Sequence, residues 1–404
     1  MTSDEIPVVT AVTPEERGGE APRFSIVSSR GLMVRRVNLL RDLKIRGPEA
    51  GITIVCAPDG MGKTALLLEY VAEVRNDPER GSARLLDASA LDEEELYTTL
   101  RRLPESLSGT LRPLVAVDNM PELGEEGLAA LPELLRDLRR AGFEFIVSCK
   151  PTSQGLLRTL GDSYKISAQA LIVRPREYSD WTQAFSIDRS LDVYALTQGV
   201  PGLVAALQTV DGTNAAAAQL QSEVASFYQA ILGGLRHGHA SLYRLACLLL
   251  LVGEGEFSAF AKQGMRLRDE TIARLTREYP VFGIDAEHRS FSCMMPETPE
   301  MVELRSRIAR ERPAFARSAL QVLMAEGKVD GAVCLAEMTE NLEHAQELVE
   351  TWPLELALSG NARFVNRTVS KLDGEAAACV SAGTLLAVYA SALVSGDYRT
   401  ARTM

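Results

Sequence analysis

From Ile52 to Val173 the chain alternates short apolar runs with stretches of helical period. Ile52 to Val55 is apolar and β-branched, and Leu66, Leu67, Tyr70, Val71 and Val74 then share one helical face. Ala83 to Asp87 precedes an acidic-started helix carrying Leu91, Leu96 and Leu100, and Leu114 to Asp118 precedes a helix carrying Leu128, Leu131, Leu135 and Leu138. A fourth strand is predicted over Phe143 to Ser148 and a fifth within Tyr164 to Val173. Buried strands joined through amphipathic helices predict a parallel sheet with helices on its faces. In such a sheet a ligand lies at the carboxyl ends of the strands.

Beyond residue 175 the pattern turns helical. Tyr178, Trp181, Ala184 and Phe185 form one stripe, Gly199 ends a helix and Pro201 starts the next. Over residues 236 to 296 an apolar helix (Leu242, Leu245, Leu248, Leu249, Val252), a charged helix from Arg268 to Tyr279 and a hairpin across Val281 to Phe291 predict a winged-helix-like module. Asp269, Glu270 and Glu278 interleave with Arg268, Arg274 and Arg277, so packing is favoured over DNA reading. Arg305, Arg307, Arg310, Arg312 and Arg317 are expected on one helix as solvated charge, with docking of an anionic partner as the other reading. Three similar stretches follow, ending in Gly327, Gly360 and Gly396, whose spacings of 33 and 36 residues fit tetratricopeptide-type helical hairpins.

The expected organisation is a flexible leader over 1–22, a nucleotide-binding α/β domain over 23–175 and a helical lid over 176–235. A winged-helix-like domain over 236–297 and a helical-repeat arm over 298–404 follow. The arm stops at Met404 as a helix begins, which reads as a truncation before further protein.

Composition narrows the partners. A net charge of -11 over 404 residues argues against a general nucleic-acid binder. The longest apolar run, around Leu248 to Val252, is too short to span a bilayer, so a cytoplasmic protein without a membrane partner is expected. Six cysteines without a CxxC pair suit reduced thiols, and His237 and His239 lack an evident third metal ligand.

The chemistry concentrates after the first strand. Ala57, Pro58, Asp59, Gly60, Met61, Gly62, Lys63 and Thr64 form a glycine-rich turn that opens a helix. Backbone N–H groups of such a turn converge on phosphate oxygens, Lys63 reaches the terminal phosphates and the Thr64 hydroxyl suits Mg2+. Asp118, at the end of an apolar strand expected to neighbour the first, can hold Mg2+ through water, or else caps the following turn. Lys150, at the end of the fourth strand, is placed to sense a terminal phosphate, or else is a solvated lysine before Pro151.

The loop resembles the Ala-Pro-x-Gly-x-Gly-Lys-Thr version of signal-transducing ATPases with numerous domains. It is most similar to that of large LuxR-family regulators of the maltose-regulon-activator type. Thr197-Gln-Gly-Val-Pro201 resembles that family's Gly-x-Pro motif, and Arg30 to Leu43, with Arg35 and Arg36, its Arg/Leu-rich segment before the loop. The resemblance implies ATP or ADP with Mg2+, Gly199 and Pro201 near the adenine, and an inducer or protein partner on the arm. It also implies possible self-association and DNA contact only through a module absent from these residues. Three positions depart: Asn119 stands where a second acid is common, Lys150 where arginine is frequent, and Phe291 to Pro296 lacks the usual histidine. A switch with slow or no hydrolysis is therefore expected. An ATP-hydrolysing enzyme and a repeat-based interaction protein with a degenerate nucleotide site remain the alternatives.

Overall fold

The computed structural model describes residues 7–11, 24–28, 36–80, 82–106, 112–174, 177, 197–206, 213–296, 298–375 and 381–403. The expected stripe Tyr178, Trp181, Ala184 and Phe185 lies outside the described residues, as do Arg30 and Arg35. The chain forms two compact units, one of residues 1–223 with 277–280, the other of 224–276 with 281–404.

The first unit is built on five parallel strands: β3 (Ile52–Cys56), β4 (Ala83–Asp87), β5 (Leu114–Asp118), β6 (Glu144–Cys149) and β7 (Tyr164–Ser167). Their order is β4-β5-β6-β3-β7. The expectation that the Asp118 strand neighbours the phosphate-loop strand is corrected here, because β6 lies between them. Every residue of β5 and of β6 is buried, as for interior strands covered on both faces.

Right-handed crossovers put helix α2 (Lys63–Arg75) on one face and α3 (Glu93–Ser106), α4 (Glu125–Arg140) and α5 (Gln154–Thr159) on the other, and α1 (Val37–Ala50), which precedes β3, packs beside α2. Leu96, Leu100, Leu131, Leu135, Leu138 and Leu156 from α3 to α5 join Ile54, Val117 and Val147 of the sheet in one core. On the α2 face, the Tyr70 hydroxyl donates to Glu144 Oε1 at 2.7 Å, and Arg80 closes an ion pair with the same carboxylate. This buried knot holds the entry of β6, and burial with the adjacent Glu144 charge pushes the Tyr70 hydroxyl well above its ordinary pKa.

Within the stretch expected to be a flexible leader, Pro7–Ala11 (β1) pairs antiparallel with Phe24–Ser28 (β2), Val8 opposite Val27 and Val9 opposite Ile26. The Thr, Glu, Pro and Gly around β1 obscure its β-branched Val-Val-Thr centre.

The second unit centres on the helix Ala240–Val252, whose residues Leu245 to Val252 are all buried. Strands β8 (Glu254–Glu256), β9 (Ile284–Asp285) and β10 (Ser290–Ser292) form an antiparallel sheet in the order β8-β10-β9. The expected hairpin is β9-β10, while β8 and the helix Phe257–Lys262 had no sequence signal. Phe257, Phe260 and Phe291 pack with ring centroids 5.4 to 6.4 Å apart.

The arginine run does not lie on one helix. Pro313 starts a new one, giving Pro299–Glu311 and Pro313–Ala325. Nor is all of its charge solvated: Arg305 is half-buried, and its guanidinium donates to Leu250 O at 3.1 Å and Leu251 O at 3.0 Å. It thereby caps the last carbonyls of the apolar helix, where a cation also suits the helix dipole. Gly327, Gly360 and Gly396 all take the left-handed conformation, with φ of 69°, 86° and 77°. After each, the next N–H reaches back to the helix, Lys328 to Leu323 O, Asn361 to Leu356 O and Asp397 to Ala392 O, at 2.8 to 3.0 Å. The same helix-ending closure thus recurs three times, and each is followed by a second helix: Val329–Thr339, Ala362–Glu375 and Tyr398–Thr403. Among the described residues no helix is long and apolar enough to cross a membrane.

Candidate functional site

β3 delivers the chain to the glycine-rich loop at the carboxyl edge of the sheet. Gly60 and Gly62 hold φ of 77° and 75°, so the loop needs residues without a Cβ at both positions. Ala57 and Met61 are buried and anchor the loop, while Asp59 and Gly60 are exposed. Lys63 is only 5% exposed, and its ammonium donates to Ala57 O and Pro58 O at 2.9 Å each. Burial lowers the Lys63 pKa, an effect that the charges of Asp59 and Asp118 partly offset.

Asp59 serves both lysines of the loop region: Lys63 Nζ lies 3.5 Å from Oδ1 and Lys150 Nζ 2.7 Å from Oδ2. Burial raises the Asp59 pKa, but the hydrogen bond from Lys150 and the two lysine charges outweigh it and hold the carboxyl below its usual range. Lys150 is half-exposed and is held beside the loop by this pair.

The second carboxylate lies on the α2 side of the sheet. Thr64 Oγ1 donates to Asp118 Oδ2 at 2.6 Å, and Ser148 Oγ donates to Asp118 Oδ1. Asn119 N donates to Ser148 Oγ at 2.8 Å, so the intervening strand β6 ties the loop strand and the carboxylate strand together. Asn119 has φ 53°, a left-handed conformation that asparagine takes more readily than other side chains with a Cβ.

A cleft of about 530 Å³ opens between these groups, bordered by Asp59, Lys63, Ser89, Asn119, Glu122 and Lys150. Glu122 and Ser148 were not singled out from the sequence. Glu122 lies in a loop after Pro121 without periodicity, and Ser148 reads as an ordinary strand residue.

The Thr197 to Pro201 turn also meets the loop. Gly202 N donates to Gly60 O at 2.7 Å, and a Cβ on Gly62 would lie 3.2 Å from the Pro201 Cβ. Gly199, with φ 79°, leaves no room for a side chain, since its Cβ would meet Val173 O at 2.4 Å. Gly202, which the sequence reading passed over, makes the backbone contact that Gly199 and Pro201 only set up. Arg36, from the Arg/Leu-rich segment, donates to Leu171 O at 2.7 Å and Ile172 O at 3.2 Å and pairs with Glu177 at 3.5 Å. It caps the short helix Ala168–Leu171 that leads toward this turn.

Among the described residues no group of three or more His, Cys, Asp and Glu could hold a metal by itself. His239 lies 3.2 Å from Arg274 Nη2. The donors at Thr64, Asp118 and Ser148 are all oxygens, a set that fits a hard cation completed by phosphate and water.

No protein-family model matches the sequence, and no curated protein matches it. Among solved structures, the chain is similar to the Walker-type ATPase of Pyrococcus abyssi at 14% identity and TM-score 0.44, over 67% of this chain and 95% of that one. It is also similar to a signal-transduction ATPase with numerous domains and a tetratricopeptide repeat sensor from Pyrococcus horikoshii, at 14% identity and TM-score 0.30. That overlap covers 92% of this chain but 57% of the other. Likenesses this distant say nothing of ligand or partner. The architecture rests on the chain's own features: a five-stranded parallel sheet with helices on both faces, a phosphate-type loop after β3 and a helical carboxyl-terminal region.

Proposed function

We propose that the chain is an ATP-binding signal-transduction switch, with ATP or ADP held by residues 57–64 and Mg2+ held by Thr64 and Asp118. The observation that carries this reading is the Thr64 hydroxyl 2.6 Å from the Asp118 carboxylate, beside a loop whose lysine ammonium is buried. Lys63 and Lys150 converge on one carboxylate, Asp59, so the mouth of the loop retains positive charge for an incoming polyphosphate. Thr64 and Asp118 would hold a Mg2+ whose charge would offset that of the phosphates. Lys63 exchanges the carbonyls of Ala57 and Pro58 for phosphate, and Lys150 leaves Asp59 for the terminal phosphate. Pro201, beside Gly62, and Gly199 two residues before it would border the nucleoside end.

Asn119 cannot accept a proton from water as a carboxylate does, which favours a slow switch over a turnover enzyme. Shifting a two-state protein from almost all one form to almost all the other takes about 5.5 kcal/mol of differential binding. Charge-assisted contacts of about 1.5 to 3 kcal/mol each to one extra phosphate supply much of that. The helical arm would receive an inducer or protein partner and supports possible self-association. The whole would form the sensor and NTPase part of a LuxR-type transcriptional regulator in the cytoplasm, with DNA reached through a module outside these residues. The winged-helix-like segment then serves packing: Arg289 pairs with Asp269 at 3.0 Å, so part of its basic charge is engaged.

Calorimetry with ATP and Mg2+ tests the site. Lys63→Ala should abolish binding with an unchanged circular dichroism spectrum, and unchanged affinity refutes the assignment. The rival reading, an ATP-hydrolysing enzyme, draws on Glu122, whose carboxylate borders the same cleft. It requires measurable turnover that Glu122→Gln removes while ATP still binds.

A further inference from the structure

Cys56 ends β3 and Cys149 ends β6, and the parallel register sets them side by side. Side chains alternate along a strand, so both thiols lie on the face that carries Ile54 and Val147. Both are free, Cys149 at 1% exposure and Cys56 half-buried. Their positions matter as much as their proximity. Cys56 directly precedes Ala57 at the root of the phosphate loop, Cys149 directly precedes Lys150, and Ala57 N donates to Cys149 O at 3.2 Å.

We propose that Cys56 and Cys149 form a dithiol–disulfide site, oxidised by a hydroperoxide, that gates the phosphate loop. The sulfur of Cys56 attacks the peroxide oxygen and its O–O bond breaks, giving a sulfenic acid. The departing hydroxide takes the Cys56 proton as water when the oxidant is hydrogen peroxide. The Cys149 sulfur then attacks the sulfenic sulfur, the S–S bond forms, and the displaced hydroxyl leaves with the Cys149 proton as a second water. Two thiols thus lose two electrons to one peroxide, and a dithiol reductant reverses the step.

The roles follow from the surroundings. Cys56 is half-buried and Cys149 almost fully buried, so Cys56 meets the peroxide first and Cys149 resolves. The disulfide also has a mechanical effect. Adjacent strands run about 4.8 Å apart, whereas a disulfide brings Cβ atoms to about 3.8 Å, so oxidation draws the two strand ends together. Ala57 and Pro58, whose carbonyls hold Lys63, are the next residues to move.

The thiol pair stands on strand register alone, whereas its effect on ATP rests on the nucleotide reading above. The test takes the full chain, reduced, treats it with hydrogen peroxide, blocks remaining thiols and maps peptides by mass spectrometry without reduction. Fluorescent ATP titrations run on the same samples. The expected result is a Cys56–Cys149 cross-linked peptide and about a tenfold loss of ATP affinity, the size of one charge-assisted contact, restored by dithiothreitol. Cys56→Ala should then bind ATP equally before and after peroxide. Recovery of Cys56 and Cys149 as separately blocked thiols overturns the proposal, and a cross-link with unchanged affinity overturns the gating. A chain that binds no ATP in either state refutes the nucleotide reading, and the cross-linked peptide still decides the thiol pair without any variant.

Discussion

Gly202→Ala is the sharpest probe of the contact between the Gly199–Pro201 turn and the phosphate loop. A Cβ at Gly202 would lie 2.5 Å from Gly60 O and 3.0 Å from Gly60 Cα, and both obstacles are backbone. An ordinary contact needs more than 3 Å, so either the helix start or the loop must retreat. That retreat also breaks the 2.7 Å bond from Gly202 N to Gly60 O. Overpacking costs about 1 to 3 kcal/mol and the bond about 0.5 to 1.5 kcal/mol, while alanine in a helix returns roughly 0.5 to 1 kcal/mol. The net loss of about 0.5 to 4 kcal/mol weakens docking of the turn by roughly 2- to 800-fold. Hydrogen–deuterium exchange should show faster exchange in peptides spanning both 57–64 and 197–206. Gly233→Ala is the control, because nothing lies within 4 Å of its added Cβ. It should leave exchange at the loop unchanged and stabilise the fold by up to about 1 kcal/mol. Equal exchange in Gly202→Ala and the parent chain at both peptides would refute the reasoning.

Three further outcomes are expected. Asp59→Asn frees Lys63 and Lys150 from their shared carboxylate and should raise ATP affinity by about 2- to 10-fold, read by calorimetry. Arg305→Met leaves the Leu250 and Leu251 carbonyls without their cap and should cost about 2 to 4 kcal/mol in urea unfolding, with lysine restoring little because it lacks the planar fork. His344 is buried, and burial first, then the Arg317 charge, depresses its pKa below 6.5. Its contribution to stability is therefore present above pH 6.5 and lost as pH falls through the lower folded value. The thermal midpoint should drop over that interval, and His344→Gln should flatten the drop.

The strands were legible because their apolar runs are short, β-branched and bounded by turns: Ala83–Asp87 and Leu114–Asp118 lie where the pattern puts them. The repeated glycines were equally legible, since a left-handed helix end selects that residue over others. Strand order was not, because the periodicity of a strand carries no information about its neighbour. Arg305 read as solvated because charge patterning records only sequence neighbours, and its partners lie on another helix. The loop residues announced themselves through their spacing, whereas Gly202, Ser148 and Glu122 act only by where the fold brings them. The cysteines carry the same lesson: far apart in sequence, Cys56 and Cys149 meet through register alone.

The place of β6 has a consequence for distant substitutions. At one end the strand is clamped through Glu144 to Tyr70 and Arg80, and at the other it presents Ser148 to Asp118 and Cys149 to the loop root. A fully buried strand has no solvent side on which to relax, so it behaves as a push-rod. Damage at the Glu144 clamp should therefore be felt at the opposite edge of the sheet as a change in metal and phosphate affinity, although no atom of the clamp borders the cleft.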